Sequence, residues 1–248
     1  MEAENDFMWE ANPSWKVKTW LEQNKSVILP LGAIEDHGPH LPVGTDSFIC
    51  KKICEMLGKA TGDIVLPTLK YTYVWSLGDK DGTISLSFDT LRRVIAEIGA
   101  ELYRQGFRTL ICVDAHIGNT PVVKTAFRDI LQIYPDMKCM YFAYLDYASE
   151  TEIFESPRAS GKYIHACEIE TSAMLFAKPD AVDMGRAKAN YPMFPPRSNY
   201  LNLRWSEFTG VAVLGDPTCA DSEKGKKLLE TAVKKIASFI EMERMRED

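Results

Sequence analysis

The chain has 248 residues, 46% of them hydrophobic and 26% charged, with a formal net charge of −6. This is the balance of a globule long enough to bury a core without disulfides, and it excludes a disordered, collagen-like or coiled-coil chain. Net acidity argues against a nucleic-acid partner. No run approaches the roughly 18 consecutive apolar residues of a membrane span, and the acidic opening Met1 to Asp6 does not read as a secretory signal. The six cysteines, Cys50, Cys54, Cys112, Cys139, Cys167 and Cys219, are scattered and form no Cys-x-x-Cys pair. They are expected to be reduced thiols in a cytoplasmic protein of one domain, residues 1–248.

In chain order, Ser26 to Leu31 (Ser-Val-Ile-Leu-Pro-Leu) reads as a buried strand stopped by Gly32. Asp46 or Ser47 can cap a helix carrying Ile49, Ile53, Met56 and Leu57 on one face. Asp63 to Leu66 and Thr83 to Ser87 read as short strands. A helix opens at Asp89-Thr90 and ends at Gly106. Thr109 to Val113, apolar on both faces, is the clearest strand. It is followed by a loop from Asp114 to Asn119, a helix from Thr120 to Leu131 and a strand from Lys138 to Leu145. Glu168 to Phe176 reads as a helix, Val211 to Leu214 as a last strand, and Ser222 to Met242 as a long closing helix. The Pro- and aromatic-rich stretch Tyr191 to Tyr200 reads as an ordered loop. Alternating strands and helices predict an α/β fold of three layers, α/β/α, with a mostly parallel sheet and a site at the carboxyl ends of the strands.

The four histidines, His37, His40, His116 and His165, each follow or lie near a predicted strand end, among Gly, Asp or Glu. Glu35 to Asp46 packs three carboxylates and two histidines into twelve residues just after a buried strand. Imidazole and carboxylate are the donor set for zinc, iron or manganese. A hydrogen-bonded turn with solvated charges is the plainer alternative. His40 reads equally as a structural residue or as a contact to a ligand or substrate. His116 follows the clearest strand and precedes Gly118-Asn119 and a helix, which points it into the same crevice; a histidine that merely closes the loop is the plainer alternative. His165, with Glu168 and Glu170, reads equally as an acid–base unit or as an ordinary helix start whose acidic residues suit the dipole.

Together these segments resemble the creatininase (creatinine amidohydrolase) family. Gly32 to Asp46 is similar to that family's Gly-x-x-Glu-x-His-Gly-Pro-His-Leu-Pro-x-x-Thr-Asp signature. Gly82-Thr83-Ile84-Ser85-Leu86 resembles its Gly-Thr-Ile-Ser-Leu stretch, and Val113 to Asn119 its Val-Asn-Gly-His-Gly-Gly-Asn loop. His165-Ala166 with Glu168 and Glu170-Thr171-Ser172 resembles its His-Ala-Gly-Glu-x-Glu-Thr-Ser motif. Gly215-Asp216-Pro217 and Glu223-Lys224-Gly225 resemble its C-terminal elements.

The resemblance implies a two-metal hydrolase with zinc, manganese or iron, a small-molecule substrate and a homohexameric assembly. Glu35 and His116 would hold one ion, His37 the other, and Asp46 would bridge them. His165 would shuttle a proton, with Glu168 able to orient its ring. In creatinine-cleaving members a Glu two residues after the loop histidine supplies a ligand, but here that position is Gly118. Glu170 is the expected replacement, with Glu168 second. The loop also begins Asp114-Ala115 in place of Asn-Gly, and Trp75 to Asp81 lacks the histidine and proline of many relatives, so the pocket is expected to differ; its walls are expected from loops such as Trp75 to Asp81 and Tyr191 to Trp205. Opening of a cyclic amide is the leading activity. Ring-opening of an oxidised inositol, deformylation of a formamide, and a non-catalytic metal-binding role in maturation are the alternatives. A cysteine enzyme using Cys167 beside His165 is disfavoured, because neighbouring carboxylates oppose a thiolate.

Overall fold

The computed structural model describes residues 7–147, 153–159 and 164–246. Its central sheet has four strands: β1 (Ser26–Leu31), β2 (Ile64–Val65), β3 (Thr109–Asp114) and β4 (Lys138–Ala143). They lie in the order β2-β1-β3-β4 and all pairings are parallel. Every residue of β1 is buried, as its continuous apolar run predicts for a strand covered on both faces. Val27, Leu29 and Leu31 join one core with Leu110 and Cys112, while Ile28 joins the other with Ile111 and Val113. This alternation separates two helical layers. The helices α3 (Phe88–Gln105) and α4 (Thr120–Ile133) cover the first face. The helices α2 (Thr45–Thr61), α6 (Glu168–Ala177) and α7 (Ser222–Met245) cover the second. The result is the three-layer arrangement expected from the sequence.

The connection from β1 leads to one side of the sheet and that from β3 to the other. β1 and β3 are neighbours, with Leu31 in register with Asp114. The crevice at their carboxyl ends is therefore a topological switch point, where open α/β sheets place their ligands.

Two expected strands are not formed. Thr83 to Ser87 is largely exposed, and only Ser85 makes an isolated bridge, to Thr72. The segment braces the site loop instead: Thr83 Oγ1 accepts from Asp36 N at 3.0 Å and Ile84 N donates to Ile34 O at 3.0 Å. Val211 to Leu214 contributes only the bridge between Leu214 and His165. Two helices are additional: α1 (Ser14–Gln23), which buries no residue fully, and α5 (Tyr144–Tyr147), which takes over where β4 was expected to continue.

Candidate metal centre and active site

Glu35 and His37 leave the end of β1, Asp46 stands in the first turn of α2, His116 follows β3, and Glu170 stands in the first turn of α6. Gly32 brings the first two pieces together. A Cβ there would lie 2.5 Å from Ser47 Cα, so only glycine lets the start of α2 approach the strand end this closely. Ser47 Oγ then donates to Ala33 O at 2.9 Å. Neither Asp46 nor Ser47, the two cap candidates, stands at the cap position, because the helix begins at Thr45; the Asp46 carboxylate turns into the crevice instead.

All five side chains are buried, and their donor atoms converge. His116 Nδ1 lies 3.0 Å from Glu35 Oε2 and 3.4 Å from Asp46 Oδ2. His37 Nε2 lies 3.1 Å from Asp46 Oδ1 and 4.0 Å from Glu170 Oε2. Glu35, Asp46 and His116 thus form one donor group and His37, Asp46 and Glu170 a second, with Asp46 in both.

Each histidine is set by a backbone carbonyl. His37 Nδ1 is 3.0 Å from Glu35 O, and His116 Nε2 is 3.2 Å from Tyr73 O. With an N–H donated to each carbonyl, a cation in the cluster would find His37 Nε2 and His116 Nδ1 as the ligating atoms, the tautomers that metal-ligating histidines use. Gly118 permits this pose of His116, since a Cβ there would sit 2.4 Å from His116 Nε2.

The electrostatics favour a cation. Burial opposes charge on His37, yet Asp46, Glu170 and Glu35 raise it to about 10. Burial likewise opposes His116, which Glu35 and Asp46 hold well above the usual imidazole range. Burial pushes Glu170 up to about 7, against the pull of His37. His37 Nε2 and Asp46 Oδ2 are buried and make no hydrogen bond of acceptable geometry. Buried polar atoms are normally paired, so these orphaned donor atoms fit a metal ion.

His165 borders the same cluster. Its ring centroid lies 4.1 Å from that of His37, the two planes tilted by 36°, and Trp205 meets it edge-on at 5.0 Å. Its Nε2 is 2.8 Å from Asp36 O, so the neutral ring carries its proton on Nε2 and keeps a lone pair on Nδ1. Burial, reinforced by His37, lowers its pKa to about 4, which keeps it neutral near pH 7. Ala166 adopts the left-handed φ of 47°, unfavourable for an L-residue. Its N–H is held there by Glu170 Oε2, so a donor of the cluster also fixes the turn that carries His165.

Glu168, expected to orient His165, stands elsewhere. Its carboxylate accepts from Lys224 Nζ at 2.7 Å and from the backbone N–H groups of Glu155 and Ser156. The partner of the His165 ring is the Asp36 carbonyl, which spacing along the sequence could not reveal. His40 is also outside the cluster, with Nε2 2.9 Å from Thr171 Oγ1 of α6. Cys167 is buried, and burial together with Glu170 pushes its thiol up to about 12, far from a nucleophilic thiolate. Asp114, in place of the family's Asn, lies beneath His116 and accepts from His116 N, Asn119 Nδ2 and Tyr141 Oη.

The cluster opens into a cavity of about 340 Å³. Its walls come from the two stretches expected to form the pocket, through Trp75, Ser76, Phe194, Ser198, Leu201 and Trp205, and also from Phe208 and Leu145, which carry no sequence signal.

A sequence model of the creatininase family, described as creatinine amidohydrolase, matches residues 13–240. Creatinine amidohydrolase of Pseudomonas putida is 27% identical over 91% of this chain and 95% of its own length. A mycofactocin precursor peptide peptidase of Mycobacterium ulcerans is 28% identical over 87% and 84% of the two chains. A 3-dehydro-scyllo-inosose hydrolase of Thermotoga maritima is 24% identical over 91% and 79%. A solved structure of a manganese creatininase superposes with a TM-score of 0.88 at 25% identity, covering 96% of this chain and 98% of that one. The match along nearly the whole chain, on a fold whose switch-point crevice holds the family's histidines and carboxylates, shows that this protein belongs to the creatininase family of hydrolases.

Proposed function

We propose that the chain is a two-metal hydrolase that cleaves an amide bond of a small organic substrate. The observation that carries this reading is the pair of donor groups meeting at Asp46. Glu35 and His116 would hold one divalent ion, His37 and Glu170 the other, and Asp46 both. Zinc, manganese and iron suit these donors. Bound there, the ions would supply Lewis acidity, which lowers the pKa of a water and polarises a carbonyl.

The chain's own residues handle position and protons. The carbonyls of Glu35 and Tyr73 fix the two ligand histidines, and Asp36 O fixes His165. With its Nε2–H held by Asp36 O, His165 keeps a lone pair on Nδ1, which can accept a proton from the attacking water and deliver it to the leaving nitrogen. One water is consumed: its oxygen bonds to the carbonyl carbon, the C–N bond breaks, and the products are a carboxylic acid and an amine.

Elemental analysis of protein purified from metal-replete medium tests the centre, and hydrolysis of creatinine and of simple cyclic and formyl amides tests the reaction. The expected result is close to two transition-metal ions per chain and amide cleavage abolished by a chelator. Metal-replete protein without bound metal would overturn the reading.

A further inference from the structure

We infer that the substrate presents an uncharged, aromatic or aliphatic group beside its scissile carbonyl, and neither a carboxylate nor a ring of hydroxyls; this rests on the metal-hydrolase reading above. The cavity leading to the cluster is walled by Trp75, Phe194, Leu201, Leu203, Trp205 and Phe208. The rings form a continuous surface from the proton shuttle outward. Trp205 meets His165 at 5.0 Å, Phe208 follows Trp205 at 6.2 Å, and Phe194 follows Phe208 at 4.8 Å. Apart from the cluster's own carboxylates and histidines, no ionisable side chain lines this cavity among the described residues.

Two cations of the same loop are committed elsewhere. Arg204 stacks on Trp75 at 4.4 Å and donates to Trp75 O. Arg197 pairs with Glu207 at 3.1 Å. Neither lines the cavity, so among the described residues its walls offer a substrate carboxylate no cation. Outside the cluster, Ser76, Ser198 and Asn202 are the hydroxyl and amide side chains that line the cavity among the described residues. They suffice to orient one amide. They cannot satisfy the several hydroxyls of a polyol, each of which costs binding free energy when desolvated without a partner. The volume of about 340 Å³ falls in the range of small-molecule pockets, and is roomy enough for a ring attached to the reacting carbonyl.

The proposal is tested by binding, on the metal-loaded protein, of hydroxamic acids that share one metal-chelating group. The probes are acetohydroxamate, phenylacetohydroxamate, succinate monohydroxamate and gluconohydroxamate, titrated calorimetrically. Burial of a phenyl ring predicts that phenylacetohydroxamate binds at least about tenfold tighter than acetohydroxamate. The carboxylated and polyhydroxylated probes should bind no tighter than acetohydroxamate. Trp205→Ala should shrink the phenyl advantage. Leu201→Asn, at a half-exposed wall position that can change without disturbing the core, should do the same if Trp205→Ala fails to fold. Tightest binding of the carboxylated or polyhydroxylated probe, or no gain from the phenyl group, would overturn the inference and leave the metal centre standing. If no hydroxamate binds to protein of verified metal content, it is the metal-hydrolase reading that falls, and this inference with it.

Discussion

Asp46 Oδ1 lies 3.1 Å from His37 Nε2, while Oδ2 of the same carboxylate lies 3.4 Å from His116 Nδ1. One side chain therefore joins the loop after β1 to the loop after β3. Burial alone would raise its pKa, but His37 and His116 hold it well below the usual carboxylate range. Asp46→Ala should accordingly empty both metal positions, whereas His37→Ala should chiefly empty one. Metal content of the two variants, purified side by side, checks this. Equal small losses would show that Asp46 does not bridge.

His165 has a different expected phenotype. Its Nε2–H is held by Asp36 O and its ring packs between His37 and Trp205, but the reading gives it proton transfer rather than coordination. His165→Ala should keep most of the metal and lower turnover by about 10²–10⁴-fold, with the loss in kcat because the proton moves in the transition state. Loss of a metal in step with activity would make His165 a ligand, a role that its proximity to Glu35 and His37 also permits.

The features legible in the sequence were those carried by contiguous residues. Glu35 to Asp46 runs from the end of the apolar stretch Val27 to Leu31 into the first turn of α2, and His116 follows another strand, so strand-end reasoning alone directs both to one crevice. Glu168 and Glu170 could not be separated in this way. Both stand in the first turn of α6, and which of them faces the cluster depends on the phase in which α6 docks on α7. That phase is set by distant residues: Lys224, which draws Glu168 away, and Gly225, where a Cβ would collide with Ser172 O. The aromatic wall was legible only as two loops, for a related reason. Phe194 and Phe208 lie in irregular chain and Trp205 opens a single 3-10 turn, none with a longer helical or strand period, and only the folded loop makes a surface of them. Thr83 to Ser87 misled because β-branched alternation marks a strand only where a neighbour offers a ladder, and here an isolated bridge to Thr72 forms instead.

The Glu168–Lys224 pair yields a stability prediction. Glu168 is fully buried and Lys224 is 15% exposed at the side chain. Burial works against the Glu168 charge, but Lys224 and the Ser156 and Glu155 amides hold its pKa below the usual range. The pair ties α7 to α6 and to the chain around Ser156. Lys224→Met would leave a buried carboxylate without its cation, a change that typically costs about 3–5 kcal/mol. Denaturant unfolding should show that loss with metal content per folded chain unchanged. A matching loss of metal would place Glu168 in the centre after all.

His40 predicts how stability responds to acid. Its ring is buried between the β1 loop and α6, with Nε2 on Thr171 Oγ1 and Nδ1 making no hydrogen bond of acceptable geometry among the described residues. Burial, with repulsion from a charged His37, lowers its pKa from 6.5 to about 4. The folded state thus holds the neutral ring, while the unfolded chain takes up a proton once the pH falls below about 6.5. Between about pH 6.5 and 4 the unfolded state binds more protons at this site, and stability rises with pH wherever that is so. The contribution of His40 is therefore complete above about pH 6.5, declines as the pH drops towards 4, and is flat below it. His40→Asn keeps a side chain able to pair with Thr171 and removes the titration. Urea unfolding of the two metal-free proteins, compared so that acid release of metal plays no part, should give a steeper loss for the wild type between pH 6.5 and 4. The difference in slope should approach one proton near pH 5. Parallel pH profiles would show that His40 is protonated in the folded protein, and that its bond to Thr171 is made by an imidazolium.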